Sequence, residues 1–372
     1  MNAQQRQDLF RDTVVLAPLT KGGNLPFRRL TVECGARMTT GEMAVARFVV
    51  KRRRGEMALL RRADDEPVFG AQLAGRIPDE MAEAAKIAVE KGADFVDLNL
   101  GCPIDYFCRK GLGAALMRKP GKVAQVVSAM REAVDVPLTV KMRLGYDDQK
   151  PKFREVAAAC VDSGADAITL HGRSRAQRYS RAADWDAVAE LVQSLPIPVI
   201  GNGDILTWRD AKKHREHTGC AGVMLARGAL IKPWLFREIA EERDIVLDFH
   251  QRANLLRRYR ALALAHFGDD ERGRLRVSEF LHWHLDFFNR YRPVRSEDVD
   301  PDAHPLIQTR DARFESDDEF ERLMYSGNPD DRQALTTRLM AELDQEPEAA
   351  AAWSSTTASA ILDGSEGASV SP

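Results

Sequence analysis

Short apolar segments recur along the first 230 residues of the chain, and a stretch with helical spacing follows each one. At 120–135, for example, Val123, Val126, Val127 and Met130 fall on one helical face, and 78–91 shows the same spacing. An alternation of eight buried strands with helices predicts a (β/α)8 TIM barrel. The eight segments are 14–19, 38–43, 68–74, 95–102, 138–144, 167–173, 198–204 and 222–228.

A doubly wound parallel sheet is the alternative architecture for such a strand–helix alternation. Its dinucleotide-binding form requires a G-x-G-x-x-G turn after the first strand, and the segment "VVLAPLTKGG" lacks this turn. The barrel is therefore favoured.

The strand pattern stops near residue 247. Residues 250–267, 271–291 and 329–344 read as helices, and 346–372 is a low-complexity segment of Ala, Ser, Thr and Gly that we predict to be disordered. We predict three regions: a barrel at 1–246, a helical domain at 247–345 and a disordered tail at 346–372.

Polar residues lie at the end of nearly every predicted strand, where a buried core would have apolar ones. Since the carboxyl ends of barrel strands converge on one face, these side chains predict a functional site there. They are Gln72, Asn99, Cys102, Lys141, Arg143, His171, Arg173, Asn202, Asp204 and Arg227.

The motifs "GNGD" and "LARG" follow the last two predicted strands, where barrels commonly bind phosphate. Gly201 and Gly203 allow close approach of the backbone, and Arg227 adds a cation. With Lys141 and Gln72 across the mouth, this arrangement indicates a phosphate-bearing cofactor that extends beyond the phosphate.

Composition narrows the class of protein. Hydrophobic residues make up 44% and charged residues 30%, and no apolar run is long enough to cross a membrane. The N-terminus lacks a signal-peptide pattern, and the five cysteines show no paired or metal-binding spacing, so we expect a cytoplasmic protein with reduced thiols and no metal.

Charge is distributed unevenly along the chain. Residues 297–372 hold 18 acidic and 5 basic residues, a formal charge of −13, so residues 1–296 carry +11. A basic body is compatible with a polyanionic partner.

Taken together, the motifs resemble those of the tRNA-dihydrouridine synthases, and most closely the branch that modifies position 47. The resemblance runs from about residue 14 to at least 292. It rests on "APLTKGGNLPFRRL", "GEMAVA", "FGAQLAG", "DFVDLNLGCPID", "PLTVKMR", "TLHGRSRAQRY", "GNGDIL" and "ARGALIKPWLF". One departure is Leu112 in "GLGAAL", where the family often has glycine.

This resemblance implies an FMN-binding barrel, a helical tRNA-binding domain, and NADPH or NADH as reductant. It also implies roles for individual residues. Cys102 would be the catalytic acid. Asn99 would belong to the cofactor-binding residues and would lie under the substrate base. The remaining FMN-binding residues would be Pro18, Leu19, Thr20, Gln72, Lys141, His171, Asn202, Gly203, Asp204, Ala226 and Arg227.

The chemistry of uracil reduction explains the thiol independently. Saturating the C5=C6 bond takes a hydride at C6, which reduced flavin can supply, and a proton at C5. A thiol with a pKa of about 8.5 is mostly protonated at neutral pH and can donate that proton. Cys34, Cys160 and Cys220 are interpreted as core residues, and Cys108 is left open with a structural role favoured.

Candidate tRNA contacts are basic residues near the mouth and in the helical domain. They are Arg143, Arg173, Arg109 and Lys110, with Lys51–Arg54, Arg61, Arg62, Arg252, Arg257, Arg258 and Arg260 as further candidates. Two alternatives remain open: a flavin barrel acting on a free pyrimidine or small enone, and a non-catalytic RNA-binding barrel. A monomer is assumed, since the sequence does not reveal the oligomeric state.

Overall fold

The computed structural model describes residues 1–291, 316–345, 352–353 and 356–363, which form two compact units. The first unit comprises Met1–Leu25, Arg37–Ile205 and Asp210–Ala226. The second comprises Pro26–Ala36, Leu206–Arg209 and the chain from Arg227 onward. The division after Ala226 comes earlier than the predicted one after residue 246, and the second unit also recruits two earlier segments.

The first unit is a closed parallel β-barrel, which confirms the predicted TIM-barrel class. Eight strands pair in the order β2-β1-β9-β8-β7-β6-β5-β4, and pairing of β2 with β4 closes the ring. The two-residue strand β3 pairs with β4 only, beyond the ring. The strands are β1 Thr13–Leu16, β2 Met38–Thr40, β3 Ala44–Val45, β4 Val68–Ala74, β5 Phe95–Leu100, β6 Leu138–Arg143, β7 Ala167–His171, β8 Val199–Asn202 and β9 Gly222–Leu225.

Helices alternate with these strands, and their ends follow local sequence signals. Helix α5 begins at Pro78 with Asp79 and Glu80 in its first turn, where a proline needs no hydrogen bond and acidic groups favour the helix dipole. The helices up to the last strand are α1 Ala3–Asp8, α2 Leu25–Glu33, α3 Ala46–Val50, α4 Arg54–Leu59, α5 Pro78–Glu90, α6 Asp105–Arg109, α7 Pro120–Ala133, α8 Phe153–Asp162, α9 Asp186–Ser194 and α10 Trp208–Thr218.

Apolar side chains from several strands fill the inside of the barrel. Val15, Phe95, Ile200 and Met224 belong to one buried cluster, so the lower part of the barrel is packed. A Cβ atom on Gly70 would lie 2.0 Å from the Phe95 ring, and glycine at this position is what lets the ring fit. The polar site therefore has a solid apolar floor.

The second unit is helical. Asp248 and Asp270 cap its two long helices, and the stacked rings of Tyr259 and Phe280 lie 4.3 Å apart in its core. Phe27 of α2 packs against Phe280, which explains why this early segment belongs here. Its further helices are α11 Arg227–Ile231, α12 Leu235–Glu241, α13 Phe249–Phe267, α14 Glu271–Phe288, α15 Glu319–Tyr325, α16 Pro329–Gln345 and α17 Ala358–Leu362.

The predicted disordered tail needs a correction at 356–363. Helix α17 lies in this part of it, Thr357 caps that helix, and Ala358 is fully buried. Its alanines and isoleucine supply enough apolar surface to pack, which the low-complexity composition concealed. The remainder of 346–372, apart from 352–353, lies outside the described residues.

No helix in the described part of the chain is both long and apolar enough to span a bilayer.

Candidate active site

Strand register brings the predicted polar residues together at one end of the barrel. Asn99 on β5 lies opposite Lys141 on β6, and His171 on β7 lies between its register partners Arg143 and Asn202. A hydrogen bond of 3.0 Å from Lys141 Nζ to Asn202 Oδ1 links these two groups of residues. The sequence prediction of a polar ring at the strand ends is thus seen in the structure.

A directed chain of hydrogen bonds runs from a buried carboxylate to the loop that carries the thiol. Gln72 Nε2 donates to Asp97 at 2.7 Å, and Asn99 Nδ2 donates to Gln72 Oε1 at 2.7 Å. The Asn99 oxygen then accepts the backbone N–H groups of Gly101 at 3.1 Å and Cys102 at 2.9 Å. Because a carboxylate only accepts, Asp97 sets the orientation of both amides. The chain holds the Cys102 loop in place.

The thiol of Cys102 is partly exposed and its surroundings keep it protonated. Burial raises its pKa above the usual value, and nearby Cys108 raises it further, while the backbone of Ile104 and the charge of Arg143 lower it. A thiol with a raised pKa holds its proton at neutral pH and suits an acid more than a nucleophile. All five cysteines are free in the structure.

Cys108 has a structural contact with the same loop. Its buried Sγ donates to the Cys102 carbonyl oxygen at 3.5 Å, and the Ala114 amide donates to the same oxygen at 3.1 Å. The predicted core positions of Cys34, Cys160 and Cys220 are confirmed, since all three are buried.

Lys141 is a half-buried cation among these polar residues. Desolvation and the charge of Arg143 lower the pKa of its ammonium, the charge of Asp97 raises it, and the result is a pKa of about 8. Burial also raises the pKa of Asp97 to about 6, against the hydrogen bonds from Thr139 and Gln72. At neutral pH both groups are therefore charged, and a positive charge is held next to the site.

The two arginines predicted to contact tRNA are held by the protein itself. Arg143 Nε donates to the Gly101 carbonyl at 2.8 Å, which gives the Cys102 loop a second anchor besides Asn99. Arg173, 1% exposed, pairs with Asp204 and donates from Nη1 towards His171 Nε2 at 3.3 Å. Arg173 is thus closed to an external phosphate, and this correction follows from its burial between β7 and β8.

The loops predicted to hold the cofactor phosphate show one strained segment. Gly203 and Asp204 have φ angles of 134° and 53°, conformations that favour a glycine at the first position. The Asp204 carboxylate accepts from Ala183 N at 2.8 Å as well as from Arg173. These donors occupy the carboxylate, and its negative charge would repel a phosphate. Any anion at this loop would meet its backbone.

Other predicted cofactor residues lie on the turns after β1 and β9. Pro18 and Leu19 are half-buried and Thr20 is exposed, while Ala226 ends the first unit. Arg227 begins α11 in the second unit. Their predicted roles in holding FMN stay predictions.

The four arginines proposed as tRNA contacts in the helical domain all have partners inside the protein, and this corrects the prediction. Arg257 and Arg260 pair with Glu342, and Arg258 pairs with Glu33, within the second unit. Arg252 is fully buried and donates to the Phe288 carbonyl at 2.6 Å. These four arginines are therefore bound by partners inside the helical unit and stabilise it. Arg109 and Lys110 are exposed near Cys102.

Further corrections and additions concern the barrel. Arg62 is engaged by Asp94 at 3.0 Å and by the Glu66 carbonyl at 2.9 Å, so it is not available as proposed. Asp97 and its donor Thr139 were missed as site residues, although a signal was present. Asp97 shares a strand face with Asn99, two residues on, inside an otherwise apolar segment.

The described residues contain no group of three or more His, Cys, Asp or Glu side chains placed to bind a metal ion. The chemistry available at this end of the barrel is that of a protonated thiol, a half-buried ammonium and oriented amides.

Comparison with known proteins gives a consistent family. The family model described as "Dihydrouridine synthase (Dus)" matches residues 15–295. A Homo sapiens protein named "tRNA-dihydrouridine(47) synthase [NAD(P)(+)]-like" is 44% identical over 295 residues, covering 78% of this chain and 45% of that protein. Proteins of the same name from Xenopus tropicalis and Arabidopsis thaliana are 41% and 38% identical, covering 87% and 90% of this chain.

The chain spans about half the length of these curated relatives, 45%, 50% and 49% of their respective lengths. The family model nevertheless covers the barrel from residue 15, within β1, and continues through helix α14. On this match, the chain belongs to the dihydrouridine synthase (Dus) family.

Proposed function

We propose that this chain is an FMN-dependent tRNA-dihydrouridine synthase that uses NADPH to reduce the C5=C6 bond of one uridine. The target proposed is position 47, the position printed in the names of the relatives. The observation that carries the proposal is the protonated thiol of Cys102, held on a braced loop at the polar end of the barrel.

The donor set at this end fits a flavin. Among the described residues, Asn202 is the one hydrogen-bond partner of the Lys141 ammonium, so two of its three N–H donors stay available for an acceptor-rich ring. A half-buried ammonium with spare donors is matched by the carbonyl and ring nitrogen edge of an isoalloxazine, where negative charge collects on reduction. When bound, FMN would supply the hydride that C6 of the uracil receives.

Residues of this chain would supply the remaining steps. Cys102 would donate its proton to C5 of the uracil, and the resulting thiolate would be stabilised by the charge of Arg143, which already lowers the thiol pKa. Asn99 would keep the thiol at a constant position by holding the backbone of Gly101 and Cys102. Lys141 would place a positive charge against the reduced ring. A positioned general acid contributes about 10²–10⁴-fold to the rate.

The test separates the two half-reactions under anaerobic conditions. Protein reconstituted with FMN is first reduced with NADPH and then mixed with tRNA that lacks dihydrouridine, while flavin absorbance is followed. The proposal expects reoxidation by tRNA with one dihydrouridine formed, and far slower reoxidation by free uridine. Equal rates with free uridine would favour a small-molecule reductase, and a protein that retains no flavin would exclude both reactions.

A further inference from the structure

A groove at the carboxyl end of β3 and β4 is left without a role by the reaction proposed above. Its volume is about 280 Å³, close to the lower end of the ~300–1,000 Å³ typical of ligand sites. It is lined by three elements of the first unit: the β3–α3 junction, the turn between β4 and α5, and helix α6. The residues used below are Arg47, Phe48, Arg76, Tyr106, Phe107 and Lys110.

The groove combines exposed cations with aromatic rings. Arg47, Arg76 and Lys110 contribute three positive charges, against the single negative charge of Glu80. Neither Arg47 nor Arg76 forms an ion pair with any residue that the structure describes. An excess of unpaired positive charge around a small cleft suits a phosphate group.

The aromatic side of the groove offers a surface for a planar ring. Tyr106 is 53% exposed, and the Phe107 ring meets it edge to face at 5.3 Å. The Lys110 ammonium lies 3.9 Å from the centre of the Tyr106 ring and bonds its hydroxyl, which orients the tyrosine. Aromatic faces beside a basic groove are the combination with which proteins bind single-stranded nucleic acid.

Helix α6 connects this groove to the catalytic thiol. Its Tyr106 and Lys110 line the groove, while Cys108 of the same helix donates to the carbonyl oxygen of Cys102. The same short segment therefore lines the groove at Tyr106 and Lys110 and contacts the Cys102 loop at Cys108. A substrate chain that presented one base to Cys102 would have its next nucleotide within reach of this groove.

We propose that this groove binds the nucleotide adjacent to the target uridine, with the base on the face of Tyr106 that Lys110 does not cover and a phosphate at Arg47 and Arg76. The inference rests on the proposed function and adds to it a subsite that selects RNA over a free pyrimidine. One unpaired nucleotide fits the volume, whereas a duplex segment does not enter a cleft of this size.

The experiment measures the affinity of the FMN-loaded protein for tRNA by fluorescence anisotropy at several salt concentrations. The variants are Tyr106→Ala and the double variant Arg47→Ala with Arg76→Ala. Arg37→Ala is the matched control, since Arg37 is exposed and directly precedes β2, at the opposite end of the barrel strands. Loss of a stacked base predicts a roughly 5- to 150-fold higher Kd for Tyr106→Ala. The double variant should bind more weakly, with a salt slope shallower by about 1.4.

A second arm identifies the nucleotide. tRNA is prepared with an abasic residue on the 5′ side or the 3′ side of the target uridine. One of the two should weaken binding to the wild-type protein and to Arg37→Ala, yet produce little further loss with Tyr106→Ala, because the stacking is already absent.

Three results would overturn the inference. These are tRNA affinities of the groove variants equal to that of Arg37→Ala, additive effects of Tyr106→Ala with both abasic tRNAs, or a weakened affinity for NADPH instead of tRNA. The proposed function is judged separately by the wild-type protein. If that protein forms no dihydrouridine in tRNA, the function itself is excluded, whereas wild-type activity with inert groove variants excludes the subsite alone.

Discussion

The side-chain oxygen of Asn99 lies 2.9 Å from the backbone nitrogen of Cys102 and accepts its hydrogen bond. This contact assigns Asn99 a role beyond the one expected from the resemblance, in which it lies under the substrate base. If Cys102 is the acid proposed above, Asn99 would act on it through the backbone, as a positioning residue.

Replacing this oxygen by carbon should displace the acid. Asn99→Leu keeps the approximate volume but leaves the Gly101 and Cys102 amides without their acceptor, so we expect flavin reoxidation by tRNA to slow by about 10- to 100-fold, part of the contribution of a general acid. Stopped-flow absorbance measures this step. A reoxidation rate equal to wild type would show that the loop holds its position without Asn99.

Alanine variants of Cys102 and Cys108 should differ strongly in the rate at which tRNA reoxidises the flavin. Cys102→Ala should bind FMN and slow reoxidation by tRNA about 10²–10⁴-fold, because the proton donor is lost. Cys108→Ala is the control; it loses a buried S–H contact and should affect reoxidation far less. If Cys108→Ala is the slow variant and Cys102→Ala reoxidises normally, the wrong thiol has been assigned.

The affinity of the apoprotein for FMN should depend on pH through Lys141. Its pKa of about 8 means that the ammonium is charged below pH 8 and neutral above it, so FMN binding should weaken as the pH rises through this value. A charge-assisted hydrogen bond contributes roughly 1.5–3 kcal/mol, which is about 10- to 150-fold in Kd. Fluorescence titration from pH 6.5 to about 9.5 follows the change.

Two variants test this assignment to Lys141. Lys141→Met should remove the pH dependence and bind FMN weakly throughout. Asp97→Asn should move the inflection to lower pH, because the Asp97 charge raises the Lys141 pKa. An unchanged inflection in Lys141→Met would assign the titration to another group.

Arg252 should matter for stability. Its guanidinium lies 4.7 Å from the Phe288 ring centre and donates to the carbonyls of Phe288 and Met324, so Arg252→Ala leaves a cavity and unsatisfied carbonyls. We expect a loss of roughly 3 kcal/mol or more of the free energy of unfolding, measured by chemical denaturation. The control is Arg272→Ala, an exposed position on α14 with the same charge change. Equal stability of the two variants would contradict the buried role.

The barrel could be predicted from sequence because its strands are buried on both faces. Segments such as Val68–Ala74 and Phe95–Leu100 are mostly apolar, with Gln72 the polar residue in the first and Asp97 and Asn99 the polar residues in the second. A stretch with helical spacing follows each segment, and this alternation is typical of a parallel sheet covered by helices. Helices 78–91 and 120–135 were placed to within two residues because their apolar residues recur at helical spacing along one face. The polar strand ends were predictable because parallel strands bring their carboxyl ends together.

Which arginines are buried could not be predicted, because an arginine reads the same whether it meets a phosphate or a glutamate. Arg258 and Arg260 find their partners at Glu33 and Glu342, far away in the sequence. The hydrogen-bond chain from Asp97 to Cys102 also needed the structure, since its direction depends on which amide atom faces which neighbour. Spacing along the chain carries no such information.

The pairing of Arg258 with Glu33 has a consequence for synthesis of the protein. Glu33 emerges from the ribosome long before Arg258, and Ala358, whose amide also donates to Glu33, comes last. The helical unit therefore cannot mature as the chain is made, and its early segment must wait for the carboxyl-terminal part. A fragment that begins at Arg227 lacks Glu33 and would leave Arg258 buried without its carboxylate. We therefore expect the helical unit to be unstable when it is produced without the preceding residues.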